Sequence, residues 1–302
     1  MVIIIIFIPF FIVNFFKINN KEEIKLNYES NMIIRVKRVN NDDIIYMPLE
    51  EYIVGVLAGE MPIYFESEAL KAQAVAARSY ALKRIEYNKD NEYDVVDSVM
   101  NQVYLDDNYL KEAWKSDYVD NINKLRKVVN ETSLEYLDYN GEVIDAMFFS
   151  TSNGYTEDAM TVFNMDLPYL QSVKSSWDEK TSSAFRSVTT MNINDFYNSL
   201  GINYSDNFDI KVLKRSSTNR IISLSINGKE FLGRTLYDKL GLKSLDFSFE
   251  RDGDKVIINT IGYGHGVGMS QYGAEGMAEE GYKYQEILKY YYTGTSIKKI
   301  KN

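Results

Sequence analysis

No cysteine occurs in these 302 residues, and there is one histidine, His265. The first absence removes disulfides and thiol chemistry, and it is compatible with export without demonstrating it. The second removes most zinc sites and His-rich catalytic designs. Positive charge is also short: 34 Lys and Arg face 43 Asp and Glu, for a formal net charge of −9. A nucleic-acid binder needs a basic face for phosphates, so this balance argues against one. It also disfavours an acidic wall polymer as partner and suits a neutral or mixed substrate. What remains is ordinary globular material, 45% hydrophobic and 25% charged, long enough for one large domain or two lobes with a real core. The 24 Tyr and 15 Phe must mostly be core, but sugar faces stack on aromatic rings, so a minority can line a cleft.

The amino-terminal run from Met1 to Phe16 is almost wholly apolar, with its first Lys at position 17. A helix apolar all round must be buried or in lipid. The run lacks a basic leader and a small-residue cleavage site, and it is shorter than the roughly 20 residues of a full span. It is read as an uncleaved anchor over 1–16 with a trimmed start, followed by a polar linker over 17–30 and one domain over 31–302. The polar stretch 178–215 is a candidate insertion or second lobe.

Met32–Val39 and Ile44–Met47 read as strands around an Asn-rich turn. Pro48–Leu57 has helical spacing, with Gly59 and Pro62 as stop signals, which places Glu60 in a turn. Ser67–Glu86 is an alanine-rich helix whose acidic start and basic end match its dipole. Hairpins are expected at Leu134–Tyr139/Glu142–Phe149, Ile221–Ile226/Lys229–Leu232 and Phe247–Arg251/Lys255–Thr260, each around an Asn-Gly or Asp-Gly pair. Short helices are expected at Asn194–Leu200, Ser270–Glu280 and Tyr284–Tyr292. The pattern is α+β: antiparallel hairpins with segregated helices forming a cleft.

Three places can carry chemistry. Glu60 lies between Gly59 and Met61-Pro62 at the junction of two apolar helices; partial desolvation there raises a carboxyl pKa and suits a general acid. Most acidic residues are solvated surface charges, and position alone does not separate Glu60 from them. Arg78 shares the Ala74, Ala81, Ile85 stripe of its helix, so it is either paired with a carboxylate or aimed into a cleft. Ser150-Thr151-Ser152-Asn153-Gly154-Tyr155-Thr156 follows an apolar strand and is a plausible ligand-binding turn, or simply a polar loop. Gly262–Gly273 carries four alternating glycines, the one histidine, and Ser270 at a helix start. Its spacing fits neither a phosphate loop nor a nucleophile elbow. A Ser270–His265 hydrolase remains open but lacks an evident orienting acid. Glu66 and Glu68 more naturally begin the second helix than supply a second carboxylate.

Taken together, Val54-Gly55-Val56-Leu57-Ala58-Gly59-Glu60-Met61-Pro62 and Lys71-Ala72-Gln73-Ala74-Val75-Ala76-Ala77-Arg78-Ser79-Tyr80-Ala81 resemble the stage II sporulation protein D family. Phe148–Thr156, Tyr169–Val173, Gly262–Ala274 and Tyr290–Thr295 fit the same family in the same order, so the resemblance covers about Met32 to Thr295. An amidase-enhancer branch shares this domain. The resemblance implies a lytic transglycosylase that acts on peptidoglycan glycan strands stripped of stem peptides, during forespore engulfment. It implies a partner amidase/endopeptidase, and a single-pass anchor in the mother-cell membrane with the catalytic domain facing the septal or intermembrane wall. It places catalysis on Glu60 and Arg78. The substrate-binding candidates are Ser150, Thr151, Ser152, Gly154, Tyr155, Tyr169, His265, Gly266, Ser270, Gln271 and Tyr272. No cofactor is implied for the chemistry itself.

One departure matters. Many members of that family carry a Cys/His zinc site in the segment that here reads Asp94–Tyr104, and its ligands fall on Val96, Met100 and Asn101. Such side chains cannot build a tetrahedral zinc site. The expectation is no structural zinc, with rigidity supplied by packing of Val95, Val96, Val99 and Val103. Elemental analysis of the purified protein checks this, and stoichiometric zinc would overturn it.

Overall fold

The structure, a computed structural model, describes residues 22–27 and 29–301. The apolar run expected to be an anchor, 1–16, lies outside the described residues, as does the start of the linker. Among the described residues no helix is long and apolar enough to cross a membrane. The chain divides into two compact units. One holds the described residues up to Phe65, together with 81–135 and the residues from Lys299; the other holds 66–80 and 136–298.

In the first unit, β1 (Ile33–Lys37) pairs antiparallel with β2 (Ile44–Pro48), from Ile33 opposite Pro48 to Lys37 opposite Ile44. The alternation of a half-buried strand holds: Ile34 and Val36 are fully buried. A two-residue β3 (Val95–Val96) adds to β1 in parallel. Pro48 closes β2 and caps α1 (Leu49–Glu60), where its missing N–H leaves no orphan donor. The helix α2 (Ser67–Tyr87) contributes residues to both units, and Ala69, Ala72, Ala74, Ala76, Ala77 and Ala81 are all fully buried. After it come α3 (Asp107–Trp114), capped by the Asp106 carboxylate on the Tyr109 N–H, and α4 (Tyr118–Glu131), which packs on α1. The sequence reading did not anticipate α3 and α4, although Ile122, Leu125, Val128 and Val129 fall on one buried face at helical spacing.

Part of the expected linker is tied down. Asn123 donates to the Glu22 carbonyl and accepts the Ile24 N–H, and one heptad on Asn130 does the same for Lys25 and Asn27. Arg126 pairs with Glu23 between them. Two asparagines thus pair the backbone of 22–27 as a neighbouring strand would.

In the second unit, Glu135–Tyr139 pairs with Glu142–Val143 around Asn140-Gly141, both in the left-handed conformation that a two-residue hairpin turn demands. The single strand expected over Glu142–Phe149 is broken. The Asp145 N–H donates to the Tyr169 hydroxyl, and Phe148–Phe149 pairs in parallel with Met269–Ser270. The hairpins Ile221–Ile226/Lys229–Leu232 and Asp246–Asp252/Lys255–Ile261 are as expected, though the second turns on Gly253-Asp254, one residue later than read. Each gains a third strand from the stretch read as polar: Ile210–Arg215 and Arg186–Asn192. With helices Ile193–Leu200 and Gly233–Leu240 they enclose a core of Phe196, Leu224, Ile226, Leu236, Val256 and Ile258. The stretch 178–215 thus supplies two strands and a helix to this core. Helices Gln271–Glu279 and Tyr284–Tyr291 close the unit, and Ser270 caps the first by accepting the Gly273 N–H.

Candidate active site

Glu60 is the last residue of α1, not part of a turn. Gly59 was read as a stop but remains helical, because its missing side chain serves packing. A Cβ there would stand 2.6 Å from the Val103 carbonyl oxygen, and at Gly55, one turn earlier, 2.3 Å from the Tyr104 ring and 2.7 Å from the Leu105 carbonyl oxygen. The two glycines make a groove in which the backbone of 103–105 lies directly on the helix. Leu105 donates to the Gly55 carbonyl at 3.2 Å, and the Val103 N–H meets Glu60 Oε1 at 2.6 Å. Glu60 is half-buried. Beyond Glu60, Lys124 donates to the carbonyls of Ile63 and Phe65, both at 2.7 Å, and fixes the following turn.

The segment Asp94–Asp106 is held by polar bonds more than by the valines. Val95 is fully buried, but Val99 is 90% exposed and Met100 78%, so the packing expected of Val99 is absent. The hydrophobic character of Val99 misled because nothing in the pattern marks a loop tip. Asn101 spends its side-chain oxygen on the Val96 N–H. A metal ion would find there no thiolate, imidazole or carboxylate at Val96, Met100 or Asn101, so the donor set does not fit zinc. Arg35 instead forks onto Asp94, and Arg38 bridges Asp97 and Asp106. Gln102 is fully buried and accepts the Tyr52 hydroxyl, and Tyr104 stacks on Tyr52 at 5.6 Å.

In the second unit the glycine run and the Ser150 loop are one structure. Gly262, Gly264, Gly266 and Gly268 all have positive φ, and a Cβ on Gly268 would lie 2.0 Å from the Met147 carbonyl oxygen. Thr151 and Tyr263 exchange backbone bonds of 2.9 and 2.7 Å. Asp178 is the hub beneath: it accepts the Ser152 N–H at 2.7 Å, the Ser175 hydroxyl at 2.6 Å, and the Ser270 hydroxyl. Burial pushes its carboxyl up, against the pull of those donors. The Ser270 hydroxyl is therefore tied to a buried carboxylate and not to an imidazole. His265 Nδ1 accepts the Val267 N–H at 3.1 Å, which leaves Nε2 to donate to the Phe148 carbonyl at 3.0 Å. Both ring nitrogens are occupied, and a Ser270–His265 hydrolase has no proton path.

His265 is packed between Phe149 and Phe163, and burial pushes it down to about 4 from its ordinary 6.5. The unfolded chain then binds the extra proton between those values, so stability rises with pH from about 4 to 6.5 and falls on acidification, on the order of 1–3 kcal/mol. Because no other imidazole exists, one NMR titration reads it directly. A midpoint near 4 is expected; a midpoint above 6 would show that packing between Phe149 and Phe163 does not disfavour the charged ring.

The structure separates the site residues named from the sequence into two kinds. Ser150, Gly154, Tyr155, His265 and Tyr272 keep at least some exposed surface, and Tyr263, which sequence reasoning missed, adds an exposed ring. Thr151, Ser152, Tyr169, Gly266, Ser270 and Gln271 are buried, and the hydroxyls of Thr151, Ser152, Tyr169 and Ser270 are committed to internal bonds. Arg78 is fully buried on α2. At the start of α2, the Glu275 carboxylate caps the Glu66 N–H, while Glu68 accepts from Lys71 and from the Tyr284 N–H. Burial opposes ionisation of Glu68, but those donors prevail and hold it below the usual carboxylate range. Glu68 lies in the first turn of α2, as expected. Val103, Arg38, Lys124 and Asp178 were not anticipated; a backbone N–H has no sequence signal at all.

Comparison with known proteins adds the following. A family model described as "Stage II sporulation protein" matches residues 38–139. The chain is 42% identical over 274 residues to stage II sporulation protein D of Bacillus amyloliquefaciens, covering 89% of this chain and 79% of that one. It is 42% identical over 269 residues to stage II sporulation protein D of Bacillus subtilis (strain 168), covering 87% and 78%. An amidase enhancer of the same B. subtilis strain is 30% identical over 299 residues, covering 80% of this chain and 40% of that protein.

Proposed function

The chain belongs to the stage II sporulation protein D family, and on that premise we propose that it is a lytic transglycosylase of the sporulating cell's wall. It cleaves MurNAc–GlcNAc bonds in glycan strands free of stem peptides. The observation that carries this reading is one half-buried carboxylate, Glu60, fixed at a helix end by the Val103 N–H. Glu60 as acid protonates the glycosidic oxygen as its bond to C1 breaks. The MurNAc C6 hydroxyl then attacks C1, and Glu60, now a carboxylate, takes the proton released. One group acts twice, so no second carboxylate is needed to activate water. The product ends in a 1,6-anhydro sugar, lighter by one water than a hydrolysed end. Arg78, the other residue the family resemblance implicates, is fully buried and offers no surface to a sugar.

The apolar run at 1–16 would tether this activity to the membrane, with the domain facing the septal wall and a wall amidase or endopeptidase stripping the strands it uses. Mass spectrometry of peptide-free glycan incubated with the purified protein tests the reaction. Anhydro-ended fragments are expected, and newly formed reducing MurNAc ends in their place would exclude it. The similarity to an amidase enhancer supports a second reading, a non-catalytic glycan binder that stimulates an amidase. That reading requires binding without cleavage, and full function after Glu60→Gln.

A further inference from the structure

The Glu60 carboxylate is met by a backbone N–H on a loop, and something must hold that loop. From Asp97 to Asp106 the chain leaves β3, exposes Val99 and Met100 at its tip, returns across the Gly55–Gly59 groove and enters α3. Its two ends meet on one side chain. Arg38 Nε lies 2.6 Å from Asp97 Oδ2, and Arg38 Nη2 donates to Asp106 Oδ2 at 2.8 Å. The guanidinium, 15% exposed, also lies over the Tyr104 ring, 5.5 Å from its centroid. Both carboxylates are anchored further: Asp97 accepts the Val39 N–H at 2.7 Å, and Asp106 caps α3. The Asp106 arm is a directed hydrogen bond and the Asp97 arm a close charge contact in which Nε does not donate; a point-charge ammonium cannot span both carboxylates as the planar guanidinium does.

We infer that Arg38 is a positioning residue for Glu60: by clasping Asp97 to Asp106 it sets the path of 98–105 and so aims the Val103 N–H at the carboxylate. The inference rests on Glu60 as the reacting group, but its first readout does not. Arg38→Gln should lower hydrogen-exchange protection of the Val103 and Leu105 amides at least tenfold, while α1 and α4 keep theirs. Because the Gly55–Gly59 groove and the Tyr52–Tyr104 stack still hold part of the loop, kcat on peptide-free glycan should fall about tenfold, with KM within about twofold. Arg38→Lys should restore only part of the rate. Should Arg38→Gln fail to fold, Asp106→Asn keeps the helix cap and removes one arm of the clasp, with the same local loss of protection expected. Unchanged Val103 protection, or protection lost evenly across the unit in both variants, overturns the clasp. Protection lost with kcat unaltered overturns its link to Glu60. If the wild-type chain cleaves no glycan, the transglycosylase reading falls while the exchange data still decide the clasp.

Discussion

Glu60→Gln is expected to fold normally, bind glycan, and yield no anhydro-ended product above roughly 10⁻⁴ of the wild-type rate. Gln has the same shape and keeps an oxygen for the Val103 N–H, so the geometry around position 60 survives. In that bond the charge of the acceptor is lost, a difference of about 1 kcal/mol, and the thermal midpoint should move little. What an amide cannot do is donate a proton to the leaving oxygen and then take one from the C6 hydroxyl. Positioned acid or base groups each contribute about 10²–10⁴. With both roles on one residue the loss belongs at the upper end, about 5 kcal/mol of barrier. Mass spectrometry of digested strands measures it. Product within tenfold of wild type would remove Glu60 from the chemistry; full amidase stimulation with no cleavage by either protein would favour the enhancer reading. Glu60→Ala is a poorer test, because it also strips the Val103 N–H of its acceptor.

The helices α1 and α2 and three hairpin turns were legible because periodicity and turn chemistry leave marks on local sequence. Arg186–Asn192 and Ile210–Arg215 were not, because they are edge strands. Most of their side chains face solvent, so neither shows the alternation of a half-buried strand. Edge strands are expected to be polar for the same reason that makes them hard to see. The break at Ile144–Met147 depends on a bond from Asp145 to Tyr169, 24 positions away, and no local pattern encodes it. Asn123 and Asn130, which bind the backbone of 22–27, carry no mark of that role in the sequence. At the site, the glutamate proposed as acid was visible in the sequence, but its supports were not. Arg38, Asp97 and Asp106 are ordinary surface charges until the fold brings them together.

Gly59→Ala is expected to leave the protein about as stable and yet cost about 100-fold in rate. As a helical position, 59 should prefer alanine by about 1 kcal/mol, and were Gly59 only a helix stop the change would be harmless or helpful. The obstacle lies outside the helix. The new methyl would stand 2.6 Å from the Val103 carbonyl oxygen and 2.9 Å from Val103 Cγ1. The first is backbone and cannot turn aside like the end of a long side chain, so the loop must lift from the groove. Helix propensity and loop strain then roughly offset in the unfolding free energy, within about 1–2 kcal/mol. They do not offset at the carboxylate, because lifting Val103 carries its N–H away from Glu60 Oε1. A misplacement of about 1 Å at a reacting group costs on the order of 10². Arg38→Gln releases the loop without pushing it, which is why the glycine substitution should do more harm. Parallel measurement of the thermal midpoint and of kcat separates the two effects. A Gly59→Ala protein of unchanged stability and unchanged rate would show that Glu60 works without the Val103 N–H.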